Sequence, residues 1–170
     1  MRILILTTGS RGDVAPFTGL GQRIQRAGHE VALATHDRFG ELVRACGLEH
    51  RTLPGDPVEL SRARTAAPSP EAAAEVFAAF IDELGDGVLA AAEDGADLLL
   101  TAFGPAPLSR VVARGLGLRC LGVYLAPGVP TREFRRRAGR RPATTSRRAG
   151  RHRPGPASST PACCAGCGLT

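Results

Sequence analysis

The chain has 170 residues, 43% of them hydrophobic, and a net charge of +6. The length suits one domain, and the apolar content excludes a chain that is disordered throughout. Residues 1–134 hold 13 Arg against all 16 acidic residues (net −3), while 135–170 hold 9 Arg and no carboxylate (net +9), so the high pI describes only the tail.

Arg2 to Thr8 is a short apolar run, expected to be a buried parallel strand. Gly9-Ser10-Arg11-Gly12-Asp13 breaks it. Val14, Phe17, Leu20, Ile24 and Ala27 then follow at helical spacing. Asp13 stands in the N-cap position of that helix, Pro16 in its first turn and Gly28 at its end. His29–Thr35 reads as a second strand, Asp37–Ala45 as a short helix closed by Gly47, and Leu48–Leu53 as a third strand. Residues 55–70 have weak periodicity and three prolines, which predicts a partly mobile loop. Glu71–Glu93 is an Ala-rich amphipathic helix weakened by Gly85 and Gly87. Asp97–Ala102 is a strand, Pro105–Gly115 a helix and Arg119–Leu125 a fifth strand.

Alternation of this kind predicts an α/β fold: a Rossmann-like parallel sheet with helices on both faces and right-handed crossovers. Ligands bind such sheets beyond the carboxyl ends of the strands. The loops at 9–13, 36–38, 54–60, 103–106 and 126–132 are therefore expected around one cleft. After Phe134 the composition breaks. Of residues 135–170, 24 of 36 are Arg, Ala, Gly or Pro, and Leu169 is the one large aliphatic. Two readings follow for this disordered segment: a GC-rich gene read out of frame, or a genuine basic tail.

The chemistry concentrates in Thr7–Phe17 (TTGSRGDVAPF). Two glycines allow a sharp turn after the first strand. Ser10 and the amides at the helix start can meet polar or anionic atoms. Asp13 is a carboxylate at the cleft mouth, able to cap the helix and able to accept a proton from a hydroxyl. His36 ends the second strand, where it faces the cleft or makes a strand-end hydrogen bond. Neither GxGxxG nor GxxxxGK occurs. Arg11-Gly12-Asp13 spells an integrin-type tripeptide, but inside a strand–helix turn. Cys163, Cys164 and Cys167 lack a fourth zinc ligand at usable spacing.

GSRGDVAPFTGLGQRIQRAGHEVALATHDRF followed by VRACGLEHRTLPGDP closely resembles the N-terminal domain of GT-B glycosyltransferases of the family 28 type. The nearest groups are the sterol and lipid glucosyltransferases and the antibiotic glycosyltransferases. The resemblance runs over residues 1–134 and is densest over 1–57. It implies an inverting transfer of a hexose from a nucleoside diphosphate, UDP or dTDP, to a hydroxyl of a hydrophobic lipid, sterol or natural-product acceptor. It implies Asp13 as the residue that helps deprotonate the acceptor, and Ser10, Arg11 and Gly12 as the loop lining the cleft; Gly9 in the same turn and His36 at the strand end complete the candidate substrate-binding set. It implies no metal and no further cofactor. The donor-binding second domain has no counterpart in residues 135–170, so the 170-residue chain is expected to be inactive alone. Dispersed cysteines and the short apolar N-terminus predict a cytoplasmic protein, with room for peripheral contact at a membrane surface. The Arg pairs of the tail have no interleaved aromatic for base stacking, so no nucleic-acid partner is expected. The alternative is a stand-alone α/β ligand-binding module without catalysis.

Overall fold

The computed structural model describes residues 1–126. The tail 135–170, its cysteines and all but the first residue of the 126–132 loop lie outside the described residues.

Among the described residues, five parallel strands form one sheet in the order β3-β2-β1-β4-β5. They are β1 (Arg2–Leu6), β2 (Glu30–His36), β3 (Glu49–Leu53), β4 (Leu98–Thr101) and β5 (Arg119–Gly122). The helices are α1 (Arg11–Arg26), α2 (Gly40–Ala45, entered through a single 3-10 turn Asp37–Phe39), α3 (Pro57–Ala66), α4 (Pro70–Glu93) and α5 (Ala106–Gly115). In register, Leu4 of β1 pairs with Ala32 of β2 and with Leu99 of β4, so β1 is central.

The apolar run of β1 is continuous because both faces of the strand are covered. Ile3 and Ile5 pack with Val14 and Phe17 of α1 and Val43 of α2. Leu4 and Leu6 point the other way, to Leu84, Val88 and Ala92 of α4 and Ala113 of α5. Phe17 is fully enclosed, and truncating such a side chain to Ala costs about 3–5 kcal/mol.

The structure differs from the sequence expectation at two points that matter for the site. The first helix starts at Arg11, not Val14, and its N-cap is Ser10 rather than Asp13. The segment expected as a partly mobile loop holds α3, ten residues that bury none of their side chains. Asp56 caps α3 by accepting a hydrogen bond from Val58 N at 2.7 Å, and Pro57 opens its first turn.

Gly87, which looked like a weak point of α4, is a packing residue. A side chain there would run into the Pro54 ring, so its absence lets α4 close on the turn after β3.

Candidate active site

The sheet order places the switch point between β1 and β4. The chain leaves β1 toward α1 on one face and leaves β4 toward α5 on the other. The loops separate there at the carboxyl ends of the strands, where open α/β sheets bind ligands.

The β1–α1 turn is held by Asp13. Its Oδ2 accepts two hydrogen bonds, from Ser10 N and from Ser10 Oγ, each at 2.8 Å. A carboxylate at the third helical position that returns to the N-cap amide is half of a capping box. From beneath, Thr7 Oγ1 donates to the Asp13 carbonyl at 2.9 Å. Gly9 has φ of +121°, a conformation that favours glycine. The Asp13 carboxylate is exposed, and among the described residues Oδ1 accepts no hydrogen bond. Gly104 of the β4–α5 loop lies against Thr8, where a side chain would meet Thr8 Oγ1.

A cavity of about 460 Å³ opens beside this turn. Gly9, Ser10 and Arg11 form one wall, and Arg38 with Phe39, from the turn after β2, form another. α3 closes it with Pro57, Val58, Ser61 and Arg62. The loops at 9–13, 36–38 and 54–60 thus meet as expected. The β4–α5 loop flanks the turn without lining this cavity. Gly12 is exposed in the first turn of α1 and Asp13 stands next to it.

His36 adds no surface to the cavity. Its ring is 1% exposed and lies on the α4 side of the sheet, 6.3 Å from the Phe80 ring. Nδ1 is 3.1 Å from the Pro54 carbonyl, which can only accept, so Nδ1 carries the proton. Nε2 is buried with no partner among the described residues. Burial holds the imidazole below its ordinary value of 6.5, only partly offset by the backbone of Leu53 and Pro54. His36 is therefore the strand-end residue that fixes the turn Pro54–Asp56.

That turn carries a second tie. Arg38 Nη1 donates to both Asp56 carboxylate oxygens, at 3.1 and 3.2 Å. The Val58 amide first, and the Arg38 charge after it, hold the Asp56 carboxyl below its ordinary range. Arg38, Phe39, Val58, Ser61 and Arg62 were not recognised as site residues in the sequence. The available signal was Asp56-Pro57, a cap followed by a first-turn proline.

A parallel sheet in this order, with a glycine-built turn at its switch point, is Rossmann-like, and its solved structural neighbours are glycosyltransferases of the GT-B fold. The chain belongs to the glycosyltransferase family 28 N-terminal domain family, whose model matches residues 3–92. It is 32% identical over 138 residues to a sterol 3-beta-glucosyltransferase of Candida albicans, covering 78% of this chain and 9% of that protein. It is 53% identical over 57 residues to the O-mycaminosyltylonolide 6-deoxyallosyltransferase of Streptomyces fradiae, covering 34% of this chain and 14% of that protein. The glycosyltransferase SsfS6 of Streptomyces sp. SF2575, solved with thymidine diphosphate, superposes with a TM-score of 0.57 at 25% identity. That match covers 73% of this chain and 38% of SsfS6. The chain thus spans well under half the length of each of these relatives. Among the described residues, no helix is long and apolar enough to cross a membrane.

Proposed function

We propose that this domain binds the acceptor in an inverting glycosyltransferase that moves a hexose from a nucleoside-diphosphate sugar to a hydroxyl of a lipid, sterol or natural product. The observation that carries the reading is the Asp13 carboxylate at the switch point, with one oxygen held by Ser10 and the other open. The names of the sterol and macrolide glycosyltransferase relatives, and the thymidine diphosphate bound to SsfS6, support the acceptor class and the donor class.

In this reading the acceptor oxygen attacks the anomeric carbon. Its proton passes to Asp13 Oδ1, and the bond to the diphosphate breaks, with the electron pair leaving on the phosphate oxygen. Attack opposite the leaving group inverts the anomeric centre. Ser10 keeps the carboxylate aimed, Gly9 and Gly12 let the turn approach the acceptor, and Arg11 faces the cleft. His36 acts on the acceptor through the turn Pro54–Asp56, not by touching it. The co-substrate is a UDP- or dTDP-hexose. The groups that hold its diphosphate lie on a donor-side domain, so the 170-residue chain alone transfers no sugar.

A chimera tests this. Residues 3–92, the span of the family match, replace the corresponding segment of the Candida albicans sterol 3-beta-glucosyltransferase, and sugar transfer is assayed. Asp13→Ala in an active chimera is expected to lower kcat by about 10²–10⁴-fold, the usual contribution of a general base, with acceptor KM changed little. Undiminished turnover would remove Asp13 from the chemistry.

A further inference from the structure

Three of the side chains lining the cavity beside Asp13 are arginines, Arg11, Arg38 and Arg62, and among the described residues no carboxylate lines it with them. Arg38 is committed in part to Asp56. Arg11 and Arg62 have no acidic partner among the described residues. The remaining walls are largely apolar, with Phe39, Pro57 and Val58.

We propose that the acceptor taken by this cavity carries an anionic group, a carboxylate, sulfate or phosphate, on its apolar body. The proposal rests on the acceptor-site reading above and narrows it. Like charges gathered around a concave apolar surface repel one another and gain most from a counter-charge there, because the low-dielectric walls focus their field. Guanidinium groups match oxoanions through paired, charge-assisted hydrogen bonds. The turn ahead of α1 is already answered in part, since the Asp13 carboxylate accepts from the Ser10 amide and hydroxyl. The volume, about 460 Å³, lies within the ordinary range for a small-molecule pocket.

The matched probes are cholate and its methyl ester, which share a hydroxylated steroid body and differ by one negative charge. Their binding to the full 170-residue chain is measured by calorimetry below the micellar concentration of cholate. Cholate is expected to bind at least about tenfold more tightly than the ester, a ratio of the size that charge-assisted pairing gives. Raising the salt to 0.5 M, at which the screening length falls to a few ångströms, narrows the ratio. Arg11→Gln and Arg62→Gln are each expected to reduce the ratio, weakening cholate binding more than ester binding. Both side chains are exposed, so thermal unfolding of the variants should match that of the parent. The basic tail, residues 135–170, is intact in both variants, so a preference that originates there survives both substitutions and overturns the proposal. Equal binding of cholate and ester overturns it as well, while leaving the acceptor-site reading in place. Binding of neither probe overturns both.

Discussion

The Asp13 carboxylate occupies the space into which a side chain at Gly9 would project: a methyl group there would lie 2.6 Å from Oδ2. The turn that presents the proposed base is thus shaped by the base itself. Gly9 adopts φ of +121°, the carboxylate folds back over it, and the Ser10 amide and hydroxyl hold it in place.

Gly9→Ala is therefore expected to cost about 1–3 kcal/mol, from the positive φ and from the displaced carboxylate. Urea unfolding measures it. A double-mutant cycle with Asp13→Ala separates the two causes. The clash disappears once the carboxylate is gone, so the two substitutions together should cost less than their sum by at least about 0.5 kcal/mol. Strict additivity would mean that only the backbone matters at Gly9.

The pH dependence of stability follows from His36. Its folded-state pKa lies below the ordinary 6.5 because the ring is buried. Below pH 6.5 the unfolded chain takes up a proton that the folded chain refuses, so unfolding is favoured. Stability is complete above the unfolded value and falls as the pH drops from 6.5 toward the folded value. The midpoint of urea unfolding should decrease over this window, and His36→Gln should flatten that slope. The depressed carboxyls of Asp56 and Asp97 act in a separate window, since their contribution fades only as the pH falls below about 3.8. An unchanged slope in His36→Gln would assign the mid-range dependence to other groups.

Much of this molecule was legible because two periodicities alternate along it. The burial of β1 on both faces shows as an unbroken apolar run, and the burial of one side of α1 shows as Val14 and Phe17, with Leu20 partly buried beside them. The first helical turn was misplaced for a physical reason. Gly12 is a poor helix former, and an Asp before an apolar repeat fits an N-cap as well as it fits the third helical position. α3 escaped because it buries no side chain and so has no apolar stripe to read. His36 could be placed at a strand end, but its burial depends on Phe80 and Pro54, which are brought in by the fold.

Arg51 is a long-range tie of the same kind. From β3 its Nη1 donates to the carbonyls of Ala91 at 2.6 Å and Gly95 at 3.1 Å, which closes the C-terminal end of α4. A cation there also complements the helix dipole. Its ion pairs to Glu49 and Asp94 involve carboxylates that are 56% and 70% exposed, and such pairs contribute little. Arg51→Met, which keeps much of the apolar stem, is expected to cost about 1–3 kcal/mol through the two carbonyls left without a charged donor. Asp94→Asn should change stability by less than about 0.5 kcal/mol. Equal effects from both would place the energy in the ion pair.

Asp56 tests whether α3 is held by its cap. The helix buries no side chain, so little hydrophobic free energy fixes it, and its order depends on its start and on its contact with α4. Asp56→Ala removes the bond to Val58 N and the partner of Arg38. Loss of such a cap costs about 1 kcal/mol. Because α3 can open without the core, that cost falls on local unfolding and not on the global transition. Amides over 58–66 should therefore exchange with deuterium about fivefold faster, the factor that corresponds to ~1 kcal/mol. The amides of β1 and β4 should keep their rates. If exchange over 58–66 is unaltered, α3 is held by α4, and the cap is not what shapes that wall of the site.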